Sequence, residues 1–221
     1  MLPVLLAQAL WVRRRAALLP EPQGPRSGTA GQGPPLRLLI IGDSSAAGVG
    51  AETQETALSG QLVAQLAQRY QVTWRLDAGT GETTASTIKR LSVLPSEKFD
   101  CAVIALGVND VTHATTKAHF VTQQRALWHL LQDRFQVQQI LCSGVPPIQH
   151  FPLLPQPLAW VLGRQAARLD RGLADLAAKS TGVTHLPLGL PKNPDMAAPD
   201  GFHPSPKAYA IWAVNLTQQI I

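Results

Sequence analysis

The chain is short of the features that declare several protein classes. It has two cysteines, Cys101 and Cys142, each inside an apolar run, so no disulfide framework holds it and no oxidising compartment is demanded. Free cysteines are among the most buried residue types, and both are read as core residues rather than nucleophiles. Charged residues make up only 15% of the chain, and the surplus of +5, with a pI near 9.6, is scattered except at Arg13-Arg14-Arg15. A nucleic-acid binder clusters its basic residues with interleaved aromatics, and that stripe is missing. The surplus is read as solubility and weak attraction to anionic surfaces. No Gly-Lys-Ser/Thr phosphate loop is present, and no His, Cys, Asp and Glu cluster has metal-ligand spacing. His113, His119, His129, His150 and His185 are therefore read as surface or core residues. Gly79-x-Gly81 fails as a dinucleotide loop: it follows the second predicted strand, and Thr84 stands where a third small residue is needed.

What is present suits one α/β domain of ordinary size. Residues 1–18 are read as an apolar amino-terminal helix, 19–35 as a linker rich in Pro, Gly, Ser and Gln, and 36–221 as the folded body. Met1 to Val12 as a helix spans about 18 Å, too short to cross a bilayer. Its arginines follow the apolar stretch, the reverse of a secretory signal, so the expected compartment is the cytoplasm. Two readings of this helix stand: packing on the body, which is preferred, or an interfacial helix whose arginines meet lipid headgroups, a peripheral membrane contact.

Within the body, strands are expected at Leu36 to Ile41, Val72 to Leu76, Phe99 to Leu106, Gln138 to Ser143 and Val183 to Leu186. Helices are expected at Glu55 to Arg69, Thr83 to Leu94, Thr116 to Phe135, Leu158 to Ser180 and Ser205 to Ile220. Such alternation predicts a parallel sheet covered on both faces, with right-handed crossovers.

Four short segments fall at or near the carboxyl ends of these strands, where open α/β sheets bind ligands. They are Gly42-Asp43-Ser44, Gly79-Thr80-Gly81-Glu82-Thr83, Gly107-Val108-Asn109-Asp110 and Asp200-Gly201-Phe202-His203-Pro204. Each residue alone has a plainer role in a turn. Together they hold a serine, a histidine to take its proton, a carboxylate three residues before that histidine to orient it, and two oxyanion donors.

In order and approximate position these segments resemble the four blocks of the SGNH hydrolases, also called the GDSL esterase and lipase family. The similarity covers about Leu36 to Ile220. The resemblance implies Ser44 as nucleophile and oxyanion donor, Gly81 and Asn109 as the other donors, His203 as base and Asp200 as its orienting acid. It also implies a flavodoxin-like three-layer α/β/α sandwich with a five-stranded parallel sheet, and chemistry needing neither metal nor organic cofactor. Two departures stand out: Ser45 occupies the position where the family usually has leucine, and the second block is one residue short, which leaves Gly79 beside Gly81 as a candidate donor.

The expected activity is hydrolysis of small or lipid-like carboxylic esters with short to medium acyl chains, through an acyl-enzyme. Lysophospholipase or thioesterase action, carbohydrate O-deacetylation and a catalytically silent binding module are the alternatives. The apolar connection after the fourth strand, with Val145, Pro146, Ile148 and Phe151, is expected to wall an acyl pocket or to pack against the body.

Overall fold

Among the described residues six strands form one sheet: β1 (Ser27–Ala30), β2 (Pro35–Gly42), β3 (Gln71–Ala78), β4 (Cys101–Ala105), β5 (Gln139–Ser143) and β6 (Val183–Leu186). Their spatial order is β1-β3-β2-β4-β5-β6. This computed structural model describes residues 2–15, 19–191 and 193–220. All neighbours from β3 to β6 pair in parallel, while β1 runs antiparallel to β3. The five parallel strands are the five expected from the sequence, wound outward in both directions from β2. That is the flavodoxin-like order, and it places a topological switch point between β2 and β4.

The sixth strand corrects the expectation of a five-stranded sheet and of a plain linker. Ser27-Gly28-Thr29-Ala30 has no apolar alternation and three of its four residues are exposed, so nothing in its side chains announces a strand. Its pairing, Ser27 with Arg75 through Ala30 with Val72, rests on the backbone groups of the β3 edge. Upstream, Gln23 bridges to Thr53, so the segment is tied to the body at two places.

The helices are α1 (Leu2–Arg15), α2 (Ser44–Ala47), α3 (Leu58–Leu66), α4 (Thr84–Val93), α5 (Val108–Thr112), α6 (Lys117–Phe135), α7 (Leu158–Ala177) and α8 (Pro206–Thr217). Alternation along β2 divides the core. Leu38 and Ile40 join α3 and α8 on one face, whereas Leu39 and Ile41 join α6 and α7 on the other. The two cysteines separate in the same way, Cys101 to the first face and Cys142 to the second. Burial pushes both thiols up, Cys101 to about 12, which leaves neither as a nucleophile near neutral pH.

One boundary shifts for a physical reason. The helix expected from Glu55 begins at Leu58 because the preceding turn is occupied by buried Gln54. Its side chain donates to the Ala47 carbonyl at 2.9 Å and accepts from Ser59 Oγ at 2.7 Å. A Cβ at Gly60 would lie 2.2 Å from the Gln54 carbonyl oxygen, so only glycine fits there.

Helix α1 lies against the body. Gln8 accepts from the Leu158 amide at 3.1 Å and donates to the Gln156 carbonyl at 2.6 Å, satisfying the first amide of α7. Residues 16–18, which the sequence assigned to this helix, lie outside the described residues. No helix of the described residues is long and apolar enough to cross a membrane.

On α8, buried Tyr209 stacks on Trp212 and donates its hydroxyl to the Val49 carbonyl at 2.7 Å, fastening the loop after α2. Burial pushes the Tyr209 hydroxyl well above its usual range, so it stays a donor. Tyr209→Phe leaves that carbonyl unsatisfied and is expected to lower unfolding stability by about 1–2 kcal/mol with an unchanged denaturant slope. A urea midpoint equal to the native protein's would show that the hydroxyl contributes nothing.

Candidate active site

Gly42 ends β2 in a space only glycine can occupy, since a Cβ would stand 2.3 Å from the Ala105 carbonyl oxygen and 2.6 Å from Ala46 Cβ. The chain then turns directly into α2, with Asp43 as its N-cap. Asp43 Oδ1 accepts from the Ser45 amide at 2.9 Å and from Ser45 Oγ at 2.6 Å. The second serine of the pair therefore spends its hydroxyl on the cap, and Ser44 is the one that faces the site. Burial raises the Asp43 pKa against the two Ser45 hydrogen bonds.

His203 comes from the loop before α8. Its Nε2 lies 2.9 Å from Ser44 Oγ, across 159 residues of sequence, and its Nδ1 lies 2.6 Å from Asp200 Oδ2. Asp200 Oδ1 accepts the amides of Phe202 and His203, each at 3.0 Å. Burial by itself would raise the Asp200 pKa, but these amides and the His203 side chain outweigh it and hold the carboxyl below its usual range. An ionised carboxylate only accepts, so Nδ1 carries the proton and Nε2 accepts from the Ser44 hydroxyl.

The second and third blocks meet at the same edge. Gly79 donates its amide to the Gly42 carbonyl at 3.2 Å, and so is committed to the sheet. The Gly81 amide has no acceptor among the described residues, and its φ of 84° is a backbone conformation suited to glycine. Asn109 Nδ2 donates one hydrogen to the Glu82 carbonyl at 2.9 Å, which holds its amide beside the Gly81 block and leaves a second hydrogen to donate. Thr83 caps α4 through a reciprocal box with Ser86. Buried Asp110 accepts from Thr84 N at 3.1 Å and Thr84 Oγ1 at 3.0 Å, which ties the two blocks together beneath the surface.

A cavity of about 340 Å³ opens beside Ser44 and His203. Pro146, Phe151, Leu188, Leu190, Met196 and Phe202 give it apolar walls. Of the four wall residues expected from the sequence, Pro146 and Phe151 line it and Val145 and Ile148 do not. Val145 is 6% exposed and packs where a Gly107 side chain would otherwise go, and Ile148 is wholly buried in the core. The wall residues Leu188, Leu190 and Met196 escaped the sequence reading. Their signal was position: apolar residues directly after the last strand, on the same sheet edge. Among the described residues, no group of three His, Cys, Asp or Glu side chains is placed to hold a metal ion.

The segment read as a linker reaches this site. Glu21 Oε1 accepts from Thr80 N at 2.8 Å and Thr80 Oγ1 at 2.9 Å, while its Oε2 pairs with Arg26 at 2.8 Å. Arg26 in turn donates to the Ala78 carbonyl. Both sides of the turn leading to Gly81 are thus held from outside the body proper.

A hydroxyl, an imidazole and a carboxylate stand in hydrogen-bonded series at the switch point of a flavodoxin-like sheet, as the resemblance to the SGNH hydrolases implies. Comparison with known proteins agrees: the model of the GDSL-like lipase/acylhydrolase family matches residues 40–211, and the chain belongs to that family. Among solved structures it is similar to an extracellular lipase from Streptomyces rimosus, at 16% identity over 84% of this chain and 100% of that one, with a TM-score of 0.63. It is also similar to a psychrotrophic esterase from Pseudoalteromonas, at 19% identity over 82% and 94%, TM-score 0.63. An acetylxylan esterase from Geobacillus stearothermophilus aligns at 16% identity over 83% and 93%, TM-score 0.59. At these identities the structural likeness speaks for the fold. Against curated protein sequences the chain has no match.

Glu21→Ala frees the Thr80 amide and hydroxyl, and we expect kcat for ester hydrolysis to fall about tenfold with KM little changed. That is short of the 10²- to 10³-fold loss for deleting an oxyanion donor outright. Glu21→Gln, which keeps the acceptor for Thr80, is expected to recover most of the loss. Equal kcat in all three proteins would remove Glu21 from the site's support.

Proposed function

We propose that the protein is a serine esterase that hydrolyses carboxylic esters of short to medium acyl chains through an acyl-enzyme. The single observation that carries this reading is the 2.9 Å contact between Ser44 Oγ and His203 Nε2, backed by Asp200 at 2.6 Å. A serine hydroxyl is a weak nucleophile until a base within hydrogen-bond reach accepts its proton.

In the first half-reaction Ser44 Oγ bonds to the ester carbonyl carbon while its proton passes to His203 Nε2. The carbonyl π electrons move onto oxygen, and the negative charge is met by the Ser44 and Gly81 amides and the remaining Asn109 amide hydrogen. Collapse of this intermediate re-forms the carbonyl and breaks the ester C–O bond, with the alcohol leaving on the proton from His203. Water then repeats the sequence on the acyl-serine, returning the carboxylic acid and free Ser44. Asp200 keeps its charge throughout and stabilises the imidazolium.

The apolar cavity beside Ser44 favours an acyl chain over a sugar ring, whose hydroxyls would need polar partners along those walls. The lipase and esterase named above support the same reading, while the acetylxylan esterase marks the deacetylase alternative.

An organophosphonate probe is expected to form one adduct, on Ser44, abolished in Ser44→Ala and retained in Ser45→Ala. Asn109→Ala should lower kcat by on the order of 10² to 10³. Absence of both labelling and ester hydrolysis would leave a silent binding module as the correct reading. With p-nitrophenyl esters, kcat/KM is expected to peak between butanoate and octanoate and to exceed that for an acetylated xylo-oligosaccharide. A peak at acetate or on the sugar ester would overturn the acyl-pocket assignment while leaving the Ser44 chemistry intact.

A further inference from the structure

Helix α1 is unusual for its outer surface. From Pro3 to Trp11 every exposed residue is apolar, and Val4, Leu6, Leu10 and Trp11 are 51%, 58%, 57% and 45% exposed. Trp160, 50% exposed, adds a fifth large apolar side chain from the first turns of α7, the helix whose first amide Gln8 holds. Outward-facing apolar side chains of this size on one short helix and its neighbour exceed the scattered exposure normal for a protein surface.

The charged residues on α1 and the first turns of α7 have one sign. Helix α1 contains no acidic residue and ends in Arg13, Arg14 and Arg15, with Arg15 lying over the Trp11 ring at 5.0 Å. Arg164 lies over Trp160 at 4.9 Å. Tryptophan and arginine stacked at the edge of an apolar surface suit the boundary between hydrocarbon and headgroups, where the ring is half buried and the guanidinium reaches a phosphate. A protein partner of similar shape would need its own acidic rim, whereas an anionic bilayer supplies both layers at once.

We propose that α1 and the start of α7 form a docking surface for anionic membranes, with the apolar side chains of α1 and Trp160 in the interface and the arginines among the lipid phosphates. Gln8 ties this surface to the body, bonding to Gln156 and Leu158 at the end of the connection whose Pro146 and Phe151 line the cavity. Docking would therefore bring that connection to the bilayer. The proposal stands independently of the ester-hydrolysis reading, since it concerns binding alone.

The test is co-sedimentation of the full chain with vesicles of phosphatidylcholine, alone or with phosphatidylglycerol at about a third of the lipid. Binding is expected to the mixed vesicles, falling as salt rises. Each arginine near an anionic surface contributes roughly a fivefold factor. Arg13→Gln/Arg14→Gln/Arg15→Gln should therefore weaken binding by on the order of 10² at low salt, and Leu6→Ser/Leu10→Ser should weaken it at every salt concentration. Circular dichroism melts confirm that each variant is folded. Failure of the native chain to bind mixed vesicles, or equal binding by the folded variants, would overturn the proposal. So would a native dimer in size-exclusion chromatography that Leu10→Ser converts to monomer, since the surface would then belong to a second copy.

Discussion

Everything at the site hangs on the register at Gly42. This residue pairs with Ala78 of β3 on one side and Ala105 of β4 on the other. Parallel pairing makes all three strands end at one level, so the segments that leave them must share the crevice above. Ser44 follows two residues after Gly42, Gly81 three after Ala78 and Asn109 four after Ala105. The absence of a side chain at Gly42 permits the turn, because both the Ala105 carbonyl and Ala46 would collide with one.

Around that register the molecule uses polar contacts where apolar packing is too coarse to aim an N–H or an imidazole. Asp43 caps α2, Thr83 caps α4, Asp110 joins α5 to α4 through Thr84, and Asp200 folds its own loop through two amides and the imidazole. The three acids are almost wholly buried, and each is matched to donors, as the cost of an unpaired buried carboxylate requires. Asp43 and Asp110 remain raised by burial whereas Asp200 ends lowered. The difference follows the donors: Asp200 accepts two backbone amides and the imidazole N–H, and hydrogen bonds to the carboxylate favour its ionised form.

The legible parts of the chain were those in which residue type and local period carry the signal. The five parallel strands appear as apolar runs, and the turns after them carry Ser44, Gly81, Asn109 and the Asp200 and His203 pair, which the fold gathers at one edge. Between Gly79 and Gly81 the sequence favoured Gly81, which Glu82-Thr83 follows, without excluding Gly79. In the fold the two differ by a backbone hydrogen bond, from the Gly79 amide to the Gly42 carbonyl at the end of β2. The same holds for Val145 and Ile148, apolar residues in a Pro-rich connection whose inward or outward direction depends on the turn Ile148–His150 and on the space above Gly107.

By itself the sequence determined the five parallel strands, the long helices that alternate with them, their order and the chemical groups at the strand ends, because hydrophobic period and turn residues act over a few neighbours. It also placed an apolar helix ending in three arginines at the amino terminus. Tertiary structure decided what lies beside what. It turned Ser27–Ala30 into an edge strand, brought Glu21 to Thr80 across 59 residues and His203 to Ser44 across 159, and set Leu188, Leu190 and Met196 in the cavity wall. These are relations between segments, set by sheet pairing and packing, and no stretch of neighbouring residues contains them.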